Sequence, residues 1–302
     1  MIRLQAVRLL IVIGSVFMFG MARAERIVSV SVEGTQFQVA LDSGQVLDSK
    51  ALSGAVLDIL VPGGKSQHIR ITDVVRDADD PDGDVFLHRI LVADAVGHWV
   101  ELCEADSRGM RAAFPLRGQW DSEGKGTSDH EFILTCTSGA QGKCVRFGYK
   151  PWKTRPDGSS LASYHAACVK AVRADYCGDH ATTREGQLID IYDQLGIQRR
   201  DNTRAADALR FEAGFSPSGA VCVAHTRVPE QMTLDALAAS CPRLVGRLGE
   251  AACSEDDTVA GRHGASIIFI RSPTEGRNEP PRLDTSEGRP AGLSGWPRLK
   301  LE

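Results

Sequence analysis

Apolar and polar residues alternate with period two through the first part of the chain. Ile27-Val28-Ser29-Val30-Ser31-Val32 and Phe37-Gln38-Val39-Ala40-Leu41 read as strands, with Ser43-Gly44 as the turn after the second. Leu57-Asp58-Ile59-Leu60-Val61 stops at Pro62-Gly63-Gly64. His68–Val75 and Val85–Val92 flank an acidic loop, and Trp99–Cys103 is a further short strand. Short alternating runs punctuated by Gly, Pro and Asp predict a small antiparallel sandwich or barrel over residues 25–135.

From about Cys136 the apolar spacing becomes helical. Leu161–Arg173 is Ala-rich with a period near 3.6, and Ser159 or Ser160 is placed to cap it. Leu188–Gly196 and Thr203–Ala213 read as shorter helices. Thr233 caps another through Leu234, Leu237 and Ala238, and Leu244–Ala252 extends the series; Ser266–Ile270 is a closing strand. The expected class is α+β: an N-terminal antiparallel β sandwich or barrel-like part, then a disulfide-stapled, mainly helical part over 136–272.

The two ends fall outside this pattern. Arg3 and Arg8 precede an uncharged apolar run from Leu9 to Met21, and Ala22-Arg23-Ala24 offers small residues at the cleavage positions. Residues 1–24 therefore read as a signal peptide. The run falls short of the roughly 20 residues that span a bilayer, although an uncleaved anchor is the alternative reading. No later stretch is apolar enough to cross a membrane. Residues 273–302 carry Pro273, Pro280, Pro281, Pro290 and Pro297 with balanced charge and few large apolar side chains, the composition of a disordered tail. The net charge of −4, with scattered Lys and Arg, argues against a nucleic-acid partner.

All 8 cysteines follow the signal segment. An even number behind an export signal implies disulfides, in a periplasmic or extracellular setting. No two lie close enough in sequence for the usual zinc pairs. Cys136 and Cys144, and Cys168 and Cys177, have similar spacings. On helices each pair would be about 12–13.5 Å apart, beyond the roughly 4.4–6.8 Å a disulfide tolerates. Pairing across two antiparallel segments gives Cys144–Cys168 and Cys136–Cys177, unless 136–144 is a hairpin. Cys103 then pairs with one of Cys222, Cys241 and Cys253, tying the β part to the helical part.

Arg173-Ala174-Asp175-Tyr176-Cys177-Gly178-Asp179 resembles the signature of the ADYC domain, a bacterial domain named for its Ala-Asp-Tyr-Cys motif. Lys143-Cys144-Val145-Arg146, Gly148-Tyr149-Lys150-Pro151-Trp152, His165-x-x-Cys168, Ile189-Asp190, Tyr192-Asp193, Glu212-Ala213-Gly214-Phe215 and Gly219-Ala220-Val221-Cys222 are similar to its other fixed positions, over roughly residues 95–245. His180 and Gln187 depart from the pattern. The resemblance implies an exported module and brings no catalytic residues with it.

Several residues carry candidate chemistry of their own. Asp175 is either a catalytic carboxylate or a buried one that accepts backbone N–H bonds and pairs with Arg173 or Arg146. Asp190 and Asp193, three apart, share a face if helical and could then divide acid and base roles or bind a cation; the alternative is a cap and a solvated side chain. His165 is either a partner to these or a core histidine. Asp77, Asp79, Asp82 and Asp84 could wrap calcium, although Pro81 and the missing distal Glu break the usual pattern. Tyr149, Lys150 and Trp152 form either a pocket wall or a packed corner. No Gly-x-Ser-x-Gly, His-Glu-x-x-His or phosphate loop is present. Two functions follow: a non-enzymatic binding or structural module for a protein, glycan or surface partner, and a hydrolase-like enzyme using Asp175, Asp190 and Asp193 with His165.

Overall fold

A computed structural model describes residues 25–60, 66–118, 132–184, 186–203 and 206–274. The signal segment, the Pro62-Gly63-Gly64 turn and the tail beyond residue 274 lie outside them. The described residues up to Arg146 form one compact unit and those from Phe147 another.

The first unit is built from two antiparallel sheets. Strands β1 (Ile27–Glu33), β2 (Gln36–Leu41) and β3 (Val46–Asp48) form the smaller, in that order. The larger runs β4 (Val56–Leu60), β5 (Ser66–Arg76), β6 (Phe86–Ala93), β8 (Ala113–Arg117) and β9 (Phe132–Cys136), with β7 (Trp99–Glu101) also paired to β6. Alternation explains why they pack: Phe37, Val39 and Leu41 bury one face of β2, and Ile69 and Ile71 bury one face of β5. These side chains meet Leu57, Ile59, Ile90 and Phe132 in one core. Helix α1 (Ala140–Arg146) closes the unit.

The second unit is not mainly helical, which corrects the expected class. It is a four-stranded antiparallel sheet in the order β10 (Asp190–Asp193), β13 (Ile268–Pro273), β11 (Leu209–Ser216), β12 (Gly219–Val223). Helix α2 (Ala162–Val172) lies across β11, β12 and β13, burying Ala166, Ala167, Ala171 and Val172. Small alanines on that face let the helix sit close to the sheet. Helix α3 (Leu234–Ser240) is capped by Thr233, whose Oγ1 accepts from Ala236 N–H at 3.0 Å; helix α4 (Glu255–Val259) is capped by Ser254.

Two segments expected as helices are strands. Leu188–Gly196 contains β10, where β-branched Ile189 and Ile191 flank Asp190. In Thr203–Ala213 the apolar positions Leu209, Phe211 and Ala213 recur every second residue and enter β11. Leu244–Ala252 forms turns after a short 3-10 turn at Pro242–Leu244.

The disulfides also correct the expectation. Cys136 ends a strand rather than lying on a helix, and it bonds Cys103 within the first unit, not Cys177. Cys177 bonds Cys241 and Cys222 bonds Cys253, both within the second unit. Cys103 therefore takes none of the three partners expected for it. Cys144 and Cys168 are disulfide-bonded too, leaving no free thiol.

Candidate functional site

The Ala-Asp-Tyr-Cys segment is where α2 stops and the chain turns back onto the sheet. Ala174 has φ 49°, the only non-glycine in the left-handed region among the described residues. A residue with a Cβ adopts that conformation at a cost of roughly 1–2 kcal/mol, so surrounding bonds must hold it. Its carbonyl accepts from Thr182 Oγ1 at 2.6 Å. Asp175 Oδ1 then accepts from the N–H groups of Gly178 (2.9 Å) and His180 (3.1 Å), and Oδ2 accepts from Lys170 Nζ (3.0 Å). The carboxylate's cation is thus Lys170, one turn back on α2, and neither Arg173 nor Arg146. His180 serves the loop through its backbone, so its departure from the family pattern leaves this arrangement intact.

Tyr176 enters the core and stacks on Phe215 at 6.0 Å. Its hydroxyl donates to Glu212 Oε1 at 3.0 Å and accepts from Arg227 N–H at 2.8 Å. Arg227 and Glu212 form a fully buried ion pair, with Nε to Oε2 at 3.0 Å and Nη2 to Oε1 at 2.9 Å. The remaining guanidinium donors reach the carbonyls of Val172 and Ala171, both at 2.8 Å, so Arg227 also satisfies the end of α2. Burial, then the neighbouring Glu212 carboxylate, pushes the Tyr176 phenol well above its ordinary range. The following residues press against the β11–β12 turn: a Cβ at Gly178 would meet Ser218 O at 2.4 Å, and one at Gly219 would meet Tyr176 O at 2.7 Å. Both glycines have positive φ. Cys177–Cys241 fastens the junction covalently.

The other proposed catalytic groups do not converge. On strand β10, Asp190 and Asp193 are three apart and so point to opposite faces. Asp190 takes the N–H of Asp201 at 3.2 Å on each oxygen and Arg271 Nη1 at 3.3 Å. Burial raises its pKa to about 6, against the lowering pull of those two partners. Asp193 pins a turn, accepting from Leu195 N–H (2.6 Å), Ile197 N–H (3.3 Å), Gln198 N–H (2.7 Å) and the Tyr149 hydroxyl (2.7 Å). Among the described residues, Asp175, Asp190 and Asp193 share no partner. His165 is buried in the α2 face. Tyr149 is fully buried, stacked on Tyr164 at 6.3 Å, so its segment is a packed corner rather than a pocket wall.

An open groove of about 490 Å³ begins just past that corner. Two chain segments line it, Lys153, Thr154, Arg155, Pro156 and Leu161 from one and Gln194, Leu195 and Ile197 from the other. Both segments are turns held by hydrogen bonds. The first is closed by Leu161 N–H to Lys153 O (2.9 Å) and Arg155 N–H to Ser159 O (2.8 Å), the second by the Asp193 carboxylate and by Gln194 Nε2 to Val259 O (2.8 Å).

In the first unit, Asp77 and Asp79 are engaged by arginine rather than arranged as cation ligands. Arg146 Nε donates to Asp77 Oδ2 at 2.7 Å, its Nη1 to Asp106 Oδ2 at 3.2 Å and its Nη2 to Asp79 Oδ2 at 3.4 Å; Arg108 also bonds Asp79. The carboxylates that do gather are Asp80, Asp82 and Asp84, whose ligand oxygens lie within 4.8 Å of one another. Their oxygens could supply part of the shell a calcium ion prefers.

Sequence reasoning missed Glu212–Arg227, although a lone carboxylate inside the apolar run Phe211–Phe215 was the available signal. It missed Arg146 as the arginine of the acidic loop because the two are far apart in sequence, and it missed the groove because turns from distant segments build it.

No curated protein and no solved structure matches the chain. The ADYC domain family model matches residues 49–229, more than half of the chain, beginning before β4 and so taking in the larger sheet that the sequence placed largely outside the domain. The chain belongs to the ADYC domain family.

Proposed function

We propose that this chain is an exported, non-enzymatic binding module whose partner is a protein, glycan or surface component of the cell envelope or its surroundings. One observation carries the reading. The carboxylates a hydrolase would need are spent separately, each holding a turn, a loop or a buried arginine, while the groove presents an open surface lined by two hydrogen-bonded turns. Export is supported by the bonding of every cysteine and by the signal pattern at residues 1–24; among the described residues no helix is long and apolar enough to cross a membrane.

The purified, oxidised protein is expected to turn over no p-nitrophenyl ester, phosphate or glycoside faster than its Asp190→Asn variant. Turnover present in the wild type and lost in that variant would overturn the reading. Cell fractionation with N-terminal sequencing is expected to find an exported chain starting at Glu25; an unprocessed chain confined to the cytosol contradicts export.

The acidic loop supports a second, smaller reading, calcium held by Asp80, Asp82 and Asp84. Calorimetric titration with calcium is expected to show binding that Asp82→Asn weakens, and equal heats for both proteins would remove it.

A further inference from the structure

We infer that Cys177–Cys241 is an exchangeable disulfide, opened by a dithiol reductant that attacks Cys177 Sγ, and that opening it frees helix α3 while the sheet of the second unit keeps its form. The inference concerns a redox-sensitive device in the fold and stands apart from what the module binds.

The bonded cysteines differ in surroundings. Cys144, Cys168, Cys222 and Cys253 are buried, and Thr258 Oγ1 lies 3.0 Å from the Cys222 sulfur. Cys103 is buried, and its partner Cys136 is partly exposed but packs against the core of the first unit. Cys177 is partly exposed, is followed by exposed Asp179, His180 and Ala181, and has its sulfur 4.0 Å from the carbonyl of exposed Ser240. Its partner Cys241 is buried. Thiol–disulfide exchange depends on access to the sulfur under attack, so this bond is open to a donor at its Cys177 end.

The chemistry balances on a dithiol alone. A donor thiolate bonds Cys177 Sγ, the Cys177–Cys241 bond breaks, and the electron pair leaves on Cys241 Sγ, which takes a proton from water. The donor's second thiolate then displaces Cys177, which is protonated in turn. The donor ends as a disulfide and the protein with two thiols.

What lies on either side of Cys241 decides what moves. After it, Leu244 is buried and Arg243 reaches back to the sheet, with Nη2 donating to Tyr176 O at 2.6 Å and Ser218 O at 3.2 Å and Nη1 donating to Ala220 O. Ala220 N–H also donates to Tyr176 O at 2.9 Å. These bonds hold the same junction that the disulfide spans, so its loss leaves the junction closed. Before it, α3 buries Leu237 alone of its seven residues. With the disulfide gone, little ties that helix down.

The test is partial reduction of the oxidised protein with dithiothreitol, quenched by iodoacetamide and read by peptide mapping. Cys177 and Cys241 are expected to be alkylated about tenfold faster than any other pair. Equal or faster opening of Cys103–Cys136, or opening of all pairs together, overturns the inference. With glutathione as a monothiol the mixed disulfide is expected on Cys177, and one on Cys241 overturns attack at Cys177. Hydrogen exchange of the Cys177→Ser, Cys241→Ser double variant is expected to show about tenfold less protection in residues 234–240, with α2, β11 and β12 unchanged. A similar loss in β11 and β12, or a variant that does not fold, makes the bond a staple of the sheet and overturns the inference.

Discussion

Each unit buries an arginine among carboxylates, and the two do it differently. In the first, Arg146 faces two buried carboxylates, Asp77 and Asp106, and a third, Asp79, whose side chain is 42% exposed and also engages Arg108. In the second, Arg227 faces Glu212 alone, both with no exposed side-chain surface, and the remaining bonds go to the Tyr176 hydroxyl and the end of α2. The first arrangement is spread over several carboxylates and has one member in water. The second is a dry, closed pair. An ion pair with a member in water remains open to ions and salt, whereas a closed pair acts as internal scaffolding.

The largest expected effect comes from opening the closed pair. Arg227→Ala leaves Glu212 charged in a dry core, which typically costs about 3–5 kcal/mol. Hydrogen exchange read by mass spectrometry should show the loss in peptides of α2, β11 and β12 while β5 and β6 keep their protection. A loss below about 1 kcal/mol, or one spread equally over both units, would break the comparison.

The first unit carries the expected acid response. His88 is fully buried, and burial depresses its pKa to about 4 from an ordinary 6.5, against a smaller opposing pull from the backbone at Ala113 and Phe86. The unfolded chain therefore binds a proton that the folded chain refuses. His88's contribution to stability is complete above about pH 6.5 and is lost as pH falls toward 4, by about 3 kcal/mol in total. Urea melts across that range should show the slope, and His88→Leu should flatten it; an unchanged slope in the variant would assign the effect elsewhere.

Tyr176→Phe sharpens the comparison from the other side. It removes the hydroxyl that Glu212 and Arg227 N–H share but keeps the ring on Phe215. The expected loss is about 1–3 kcal/mol, smaller than for Arg227→Ala because the ion pair survives. Equal losses would mean that the hydroxyl, not the pair, holds the junction. At the periphery of the same unit, Thr233→Ala removes the cap of α3 and should cost only about 1 kcal/mol in a chemical denaturation midpoint.

Local patterns made part of this legible. The alanines and apolar spacing of 161–173 marked α2, alternation marked β2 and β5, and Thr233 marked the start of α3. Leu188–Gly196 misled because Asp190 and Asp193 are spaced like helical neighbours, while their actual work, holding the Asp201 backbone and closing the turn to Gln198, needs partners the local sequence does not reveal. The Cys136–Cys177 expectation turns on one assumption, that Cys136 lies on a helix, whereas its backbone pairs with Ala113 as the end of β9. Asp175 is readable as a loop-holding carboxylate from its setting, but choosing Lys170 over Arg173 and Arg146 requires knowing that Arg146 is already committed to Asp77 and Asp106.

The order of strands in the second unit has a consequence for how the chain is made. β13 is the last strand in sequence among the described residues and lies inside the sheet, between β10 and β11. A ribosome delivers β10, β11 and β12 first, so until Ile268–Pro273 emerges the β10 and β11 edges that it will join present unpaired amides to whatever is nearby. The newly made chain therefore passes through a stage that invites misassociation and suits a holding chaperone. A protease that cuts before Ile268 removes the strand that joins the two sides of this sheet.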